Sequence, residues 1–336
     1  MLRLPSPRGE TTETLLAALH ASPGVMTPVP VAADDPLSGD DQHLALYLLY
    51  ELHYRGLPGV DDGWEWDPSL LQLRHALTAR FEAAMFEQIG EPSDTVAPAE
   101  MDLALRAIAD ADEAPSVSTH IERDATLDQV LEFVVHRSAY QLKEADPHSF
   151  ALPRLYGPPK AAMVAIQADE YGGGRPDRVH AQLFADAMEA LGLDNRYGAY
   201  IDHIPGVTLA TVNLMSMLAL QRRWRGAIVG HLALFEMTSS LPNGRYARGL
   251  RRLGFEGRAT EFFDEHVEAD AVHENLAAVD LAGGLAAQQP ELGRDVLWGA
   301  RALVDVEGRW ARHLMEAWEA GESSLREPLG AEPAPA

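Results

Sequence analysis

An all-α helical bundle is the fold class this sequence predicts, and three observations predict it. Apolar residues recur at helical spacing through most of the 336 residues, the pattern of helices that each bury one face. Helix punctuation stands where those runs begin and end: an Asp67-Pro68 start, then Gly56, Pro147, Gly192 and Gly283-Gly284 as stops. Strand signals are scarce, with no β-branched alternating run and no Asn-Gly hairpin between such runs.

Residues 1–37 are rich in Pro, Ser, Thr and Gly, hold one short helical candidate around Thr14–Leu19, and are expected to be mobile. QHLALYLLYELHYRG predicts a helix closing near Gly56. DPSLLQLRHALTARFEAAMFEQ opens on an Asp cap with Pro68 at the first helical position, where its missing N–H costs nothing. The connection ELHYRGLPGVDDGWEWDP is too Trp-rich for a linker. PAEMDLALRAIADAD is a shorter amphipathic piece, and a long run from Thr126 through Glu144 ends before Pro147. KAAMVAIQADEY runs into the break GGGRP, after which DRVHAQLFADAMEALG closes at Gly192. PGVTLATVNLMSMLAL and RGAIVGHLALFEMTSS follow, the second expected to stop before Pro242, with NGRYARGLRRLG a separate short basic helix. ATEFFDEHVEADAVHENLAAVDL is expected to end at Gly283-Gly284, and a last helix covers roughly Pro290–Ala320. The expected organisation is a single helical domain over 38–322, made of a helical preface (38–124) and a core (125–322). The Pro/Ala-rich tail 323–336 is expected to be disordered.

Composition narrows the function. The formal charge of −24 argues against nucleic acid or an anionic membrane as partner, since both demand clustered Lys and Arg. Cysteine is absent, which removes disulfides, Fe–S clusters, thiolate haem ligation and a nucleophilic thiol together. Any metal must therefore be held by His, Asp and Glu. No apolar run approaches a membrane span, and the N-terminus lacks the pattern of a secretory signal, so the expected location is the cytoplasm.

The segment EFFDEHVEADAVHE, residues 261–274, carries His266, Asp270 and His273. At 100° per residue, Asp270 lies roughly 40° from His266 and His273 roughly 20° from it on the other side. All three share a stripe that is otherwise apolar, running Ala259, Phe262, Phe263 before them and Ala277 after. A carboxylate and two imidazoles there are costly unless hydrogen-bonded or bound to a metal. Other carboxylates and imidazoles interrupt apolar stripes: Glu236 after Ile228, Leu232 and Phe235; Glu170 after Met163 and Ile166; His180 one turn before Leu183 and Phe184; Glu144 after Phe133, Arg137 and Tyr140. Each taken alone reads more readily as a cap, a surface pair or a packed histidine than as a ligand. On a continuous helix Glu170 and His180 would diverge by roughly 80°, an objection that GGGRP removes by breaking the helix. No strand precedes GGGRP and no Gly-Lys-Ser/Thr follows, so it is not a phosphate loop.

Taken together, Glu170 and His180, Glu236, and His266-x3-Asp270-x2-His273 resemble the ligand pattern of the haem-oxygenase-like di-iron oxidases, the iron-containing redox enzyme family. The text DEYGGGRPDRVHAQLF and NLMSMLALQRRWRGAIVGHLALFEMTSSLPN is similar as well, and the likeness spans roughly 125–310. The resemblance implies a haem-oxygenase-like bundle that binds two Fe(2+) ions instead of haem, one typically labile. It allots Glu170, His180 and His273 to one iron and Glu236, His266 and Asp270 to the other, and Glu144 matches a further carboxylate of members that oxygenate nitrogen. The implied activity is O2-dependent oxidation of a small molecule, foremost N-oxygenation of an amine or amino-acid-like substrate. A homodimer is expected, with the N-terminal preface as its dimerisation element. Desaturation or oxidative decarboxylation of an aliphatic acid is the alternative on the same scaffold. A metal- or haem-binding protein without turnover is the alternative from another class. Asp169, Glu265 and Tyr171 are candidates to orient the imidazoles; Met215, Met217 and Phe235 to line a pocket; Arg222, Arg223 and Arg225 to meet a substrate carboxylate or pair with acidic neighbours.

Overall fold

The computed structural model describes residues 4–24 and 28–330, and the side chains of 269–272 also fall outside the described set. Its helices are α1 (Glu10–Leu19), α2 (Asp40–Glu51), α3 (Pro68–Ile89), α4 (Met101–Asp110), α5 (Val117–Arg123), α6 (Leu127–Gln141), α7 (Asp146–Ser149), α8 (Gly157–Glu170), α9 (His180–Ala190), α10 (Gly206–Leu220), α11 (Arg225–Arg252), α12 (Arg258–Asn275), α13 (Gly284–Gln288) and α14 (Gly293–Glu319). No strand occurs among the described residues. The fold is all-α, as the sequence predicts.

Local chemistry sets several helix starts as read. Asp67 accepts from Ser69 N at 2.8 Å ahead of Pro68, and Thr126 forms a reciprocal capping box with Gln129. GVTLATVNLMSMLAL is apolar on every side and accordingly becomes the central helix α10, buried from Gly206 to Ala219. The two longest helices, α11 and α14, cross at glycines. A Cβ on Gly230 would sit 1.8 Å from Val296 O, and one on Gly299 2.0 Å from Ala227 O. Leu44, Leu48, Leu77 and Phe81 of the preface share one hydrophobic cluster with Leu214, Ile228 and Val296 of the core.

Five boundaries differ from expectation, each for a reason in tertiary structure. The stretch expected to be mobile supplies α1, which is docked: Asp41 accepts from Thr11 N, Thr12 N and Thr12 Oγ1, and Leu15 and Leu19 are buried. A carboxylate lent by α2 thus caps a helix too short to be stable alone. The run from Thr126 stops as a helix at Gln141, because Ala145 adopts φ 71°, and Glu144 sits in the resulting turn. α11 continues through Pro242, so NGRYARGLRRLG is its C-terminal half. The proline removes the donor to the Thr238 carbonyl, while Asn243 Nδ2 donates to Ser239 O at 3.0 Å and α12 and α14 brace the helix. α12 does not end at Gly283-Gly284 but passes through a π-helical stretch, Leu276–Gly283, into α13. The start of the tail is anchored: Glu132 accepts from Ser323 Oγ and from Ser324 N and Oγ, and Leu325 is buried.

Candidate metal centre

Glu170 is the last residue of α8 and His180 the first of α9. Between them Gly172, Gly173 and Gly174 take φ of 66°, 58° and 81°, a left-handed run that side chains with a Cβ resist. At Gly172 a Cβ would also lie 2.6 Å from Arg178 C, so the chain folds tightly back on itself. The turn brings His180 Nδ1 to 3.0 Å from Glu170 Oε2.

α12 contributes His266 and His273 from its buried face. His266 Nδ1 donates to the Phe262 carbonyl one turn back, at 2.8 Å, which fixes a proton on Nδ1. Its Nε2 faces Glu144 Oε1 at 3.4 Å. His273 has the opposite tautomer: Nε2–H donates to Asp169 Oδ2 at 3.0 Å, and Nδ1 lies 3.3 Å from Glu236 Oε2 on α11. The His180 and His266 rings stand 4.5 Å apart.

Glu144 reaches the cluster from the turn after α6, and that turn is held from several sides. Arg55 Nη2 donates to Leu142 O at 2.9 Å, Lys143 Nζ meets Glu51 Oε2 at 2.9 Å, and Gln167 Nε2 donates to Ala145 O at 2.8 Å.

Two sets of donor atoms result, each mutually within 4.8 Å: Glu144, Glu170, His180 and His266; and Glu170, Glu236 and His273. All six residues are buried. Glu144 Oε2 is buried with no hydrogen-bond partner, an expensive state unless a ligand completes it, and His180 Nδ1 and His273 Nδ1 face only the carboxylates of Glu170 and Glu236. Hard carboxylate oxygens with imidazole nitrogens suit a first-row divalent ion such as Fe(II). The residues present therefore fit iron.

The metal-free electrostatics are strained. Burial raises Glu144, outweighing the nearby His266. Burial alone would raise Glu170 too, but His180 beside it, with His266 and His273, brings it down to about 2. Burial opposes charge on His273, yet Glu236 and Asp169 outweigh it and lift the imidazole to about 9. A cluster that holds protons in place of a cation is consistent with a cation site.

Glu144, Glu170, His180, Glu236, His266 and His273 are thus brought together, while the side chain of Asp270 lies outside the described residues. The grouping exchanges the two histidines relative to the expected allotment: His266 joins Glu170 and His180, and His273 joins Glu236. Asp169 orients an imidazole as expected, whereas Glu265 pairs with Arg178, and Tyr171 bonds Ser149 and Asp146. Met215 and Met217 belong to the hydrophobic core, Arg223 pairs with Glu82, and Arg225 bonds Gln289. Sequence reasoning passed over His148, buried with Nε2 3.2 Å from His231 Nδ1 behind the cluster. Its place in the four-residue helix α7, straight after a turn, gave no periodicity to read.

A cavity of about 310 Å³ reaches the cluster at Glu144 and His266, with Phe235 among its lining residues. An outer hollow of about 840 Å³ shares Asp112, Ala114, Val304 and Gly308 with it. The two spaces therefore adjoin one another. No helix of the described residues is long and apolar enough to cross a membrane.

Residues 131–308, more than half of the chain, match the family described as iron-containing redox enzyme. No curated protein matches the chain. The family match and the all-helical architecture agree with the haem-oxygenase-like bundle expected from the sequence.

Proposed function

We propose, for a chain that belongs to the iron-containing redox enzyme family, that the buried cluster is a non-haem di-iron centre of an O2-dependent oxygenase or oxidase acting on a small molecule. The observation that carries this reading is Glu170, which belongs to both sets of donor atoms and so stands where a bridging carboxylate would. Glu144, His180 and His266 would hold one ion, Glu236 and His273 the other, with Asp270 a further ligand. Iron, when bound, supplies the electrons that activate O2.

The chain's own residues do the rest. The Phe262 carbonyl and Asp169 each take a hydrogen bond from one ring nitrogen, so that each imidazole turns its other nitrogen toward the carboxylates. Phe262, packed between Phe184 and the His266 ring, backs that imidazole with apolar surface. The cavity admits substrate at the Glu144–His266 edge, the same edge that carries the additional carboxylate. N-oxygenation of an amine or amino-acid-like substrate is the favoured reaction on that account, ahead of desaturation or decarboxylation of an aliphatic acid.

Anaerobic Fe(II) titration tests the centre directly, with two equivalents bound per chain as the expected result. Glu170→Ala should lose both, and the loaded wild type should consume O2. Saturation without iron, or a Soret shift on haemin titration with no iron bound, would overturn the proposal.

A further inference from the structure

A second, much smaller space adjoins the donor atoms. Its volume is about 10 Å³, close to what one water-sized ligand occupies. Glu144, Glu170, Glu236 and His266 border it, and the other polar side chains of its lining are Tyr140, His148, Gln167 and Ser239. Three of those four are engaged. Gln167 Nε2 donates to Ala145 O and Ser149 Oγ, at 2.8 and 2.7 Å, and Ser239 Oγ to Glu236 O at 3.4 Å. His148 Nε2 meets His231 Nδ1 at 3.2 Å. Tyr140 is 5% exposed, yet its hydroxyl has no hydrogen-bond partner among the described residues. The charged groups that act on it are Glu144, Glu170, Glu236 and, with opposite sign, Arg137. The hydroxyl thus stands near three candidate ligands without bonding any of them, a costly state for a donor in the interior. Tyr140 is also set apart from the larger cavity. Its ring meets Phe235 edge-on at 5.7 Å, and Phe235 lines both spaces while Tyr140 lines the small one alone.

We propose that the small space receives a water-sized ligand of the metal ions, and that Tyr140 steadies this ligand by donating a hydrogen bond to it. A phenol keeps its proton near neutral pH and has one to donate. With the carboxylates committed to metal ions, the acceptor for that proton is whatever small ligand enters beside them. An anionic ligand gains most, because hydrogen bonds to ionised acceptors are about twice as strong as neutral ones. Phe235 then divides two tasks: the organic substrate occupies the larger cavity, and Tyr140 serves the small ligand behind the ring. Tyr140 is a positioning residue, acting on what the metal ions bind and not holding a metal itself. This assignment deepens the metal-centre reading, on which it rests.

The test is fluoride titration of protein loaded anaerobically with Co(II), followed by the visible absorption of the metal. Fluoride is a monatomic anion that the space can hold, and the loaded wild type should bind it. Tyr140→Phe, which removes one oxygen and keeps the ring, should take up Co(II) as the wild type does. It should bind fluoride at least tenfold more weakly, roughly the loss of one hydrogen bond to a charged group. Tyr246→Phe, altered at the larger cavity and not at the small space, should leave fluoride affinity unchanged. Unchanged fluoride affinity in Tyr140→Phe, an equal loss in Tyr246→Phe, or no fluoride binding by the loaded wild type overturns the assignment and leaves Tyr140 a core residue. Weaker Co(II) uptake in Tyr140→Phe overturns it as well, since the hydroxyl would then support the metal ligands themselves. A wild type that takes up no Co(II) sinks the metal-centre reading, a result distinct from all of these.

Discussion

Lys143 Nζ lies 2.9 Å from Glu51 Oε2, and both side chains are almost wholly withdrawn from water, at 1% and 2% exposure. The pair joins the last residue of α2 to the residue immediately before Glu144. Tyr197 OH donates to the other Glu51 oxygen at 2.7 Å, and the Lys143 ammonium sits 4.3 Å above the Tyr54 ring. The helical preface thus holds the turn from which Glu144 reaches the cluster.

Removing one partner leaves an uncompensated charge in the interior. Glu51→Ala should cost about 3–5 kcal/mol, read from urea unfolding. It should also weaken metal binding at the Glu144 end before the Glu236 end, seen as a split in a Co(II) titration. Replacing both, Glu51→Leu with Lys143→Met, should recover most of the stability, since a buried ion pair is seldom better than apolar packing. If stability returns and the titration remains split, the pair positions Glu144; a single unsplit titration would show that the turn holds itself.

The crossing of α11 and α14 depends on two glycines, and a third on α14 does not serve it. Gly230→Ala and Gly299→Ala would each drive a methyl into backbone at about 2 Å, so each should destabilise by at least 1–3 kcal/mol, roughly the usual cost of overpacking. At Gly308 the nearest atoms to a Cβ are Ala114 Cβ and Arg312 Nη2, both at 3.4 Å, an ordinary contact. Gly308→Ala should therefore gain about 0.5–1 kcal/mol of helix stability. Thermal melts of the three variants, metal-free, compare them directly; a neutral Gly230→Ala would mean that the helices can slide apart at no cost.

Stability should also fall as the solution is acidified, well before ordinary carboxylates titrate. His43 is fully buried, donates from Nε2 to Pro36 O at 3.1 Å, and faces Asn213 Nδ2 with Nδ1 at 3.2 Å. Burial lowers its pKa from 6.5 to about 4, against weaker support from the Pro36 carbonyl. The folded pKa is below the unfolded one, so between these values the unfolded chain binds the extra proton. The contribution is complete above pH 6.5 and is lost as pH falls toward 4, about 3 kcal/mol in all. His148, likewise lowered to about 4 by burial, acts in the same sense. Urea-unfolding free energies at half-unit steps of pH should show this slope, reduced in His43→Gln; a flat profile over that window would contradict it.

How much of this was legible beforehand follows from the range over which each feature is determined. Asp67-Pro68, Thr126-Gln129 and the glycines after Glu170 act within a few residues, and the sequence displays them. The candidate ligands were visible because Glu170, Glu236, His266 and His273 interrupt apolar stripes, a pattern that local spacing preserves. What distant contacts decide was not visible. Asp41 caps α1 from thirty residues away, neighbouring helices carry α11 past Pro242, and Glu51 and Arg55 hold the turn at Glu144. The exchange of His266 and His273 between the donor sets depends on which ring nitrogen each hydrogen bond occupies, which no spacing encodes.

Asp169 is the residue through which that last point can be tested. Its carboxylate takes the Nε2 proton of His273 and leaves Nδ1 for the cluster, though its own side chain is two-thirds exposed. Asp169→Asn keeps the size but can present an N–H where an acceptor is needed, so the imidazole loses its fixed tautomer. Metal affinity at the Glu236–His273 end should fall about 10–100-fold, the usual effect of removing such a partner. Proton release gives a second reading of the same bond. His273 is lifted to about 9, so near pH 7 it is protonated without metal and must give up that proton to bind one. Titration calorimetry in buffers of different ionisation enthalpy should show net proton release for the wild type, and apparent affinity rising with pH up to about 9. In Asp169→Asn the imidazole has lost one of the carboxylates that hold its proton, so less should be released near neutral pH. An unchanged affinity and an unchanged proton count would show that His273 takes no part in holding the ion.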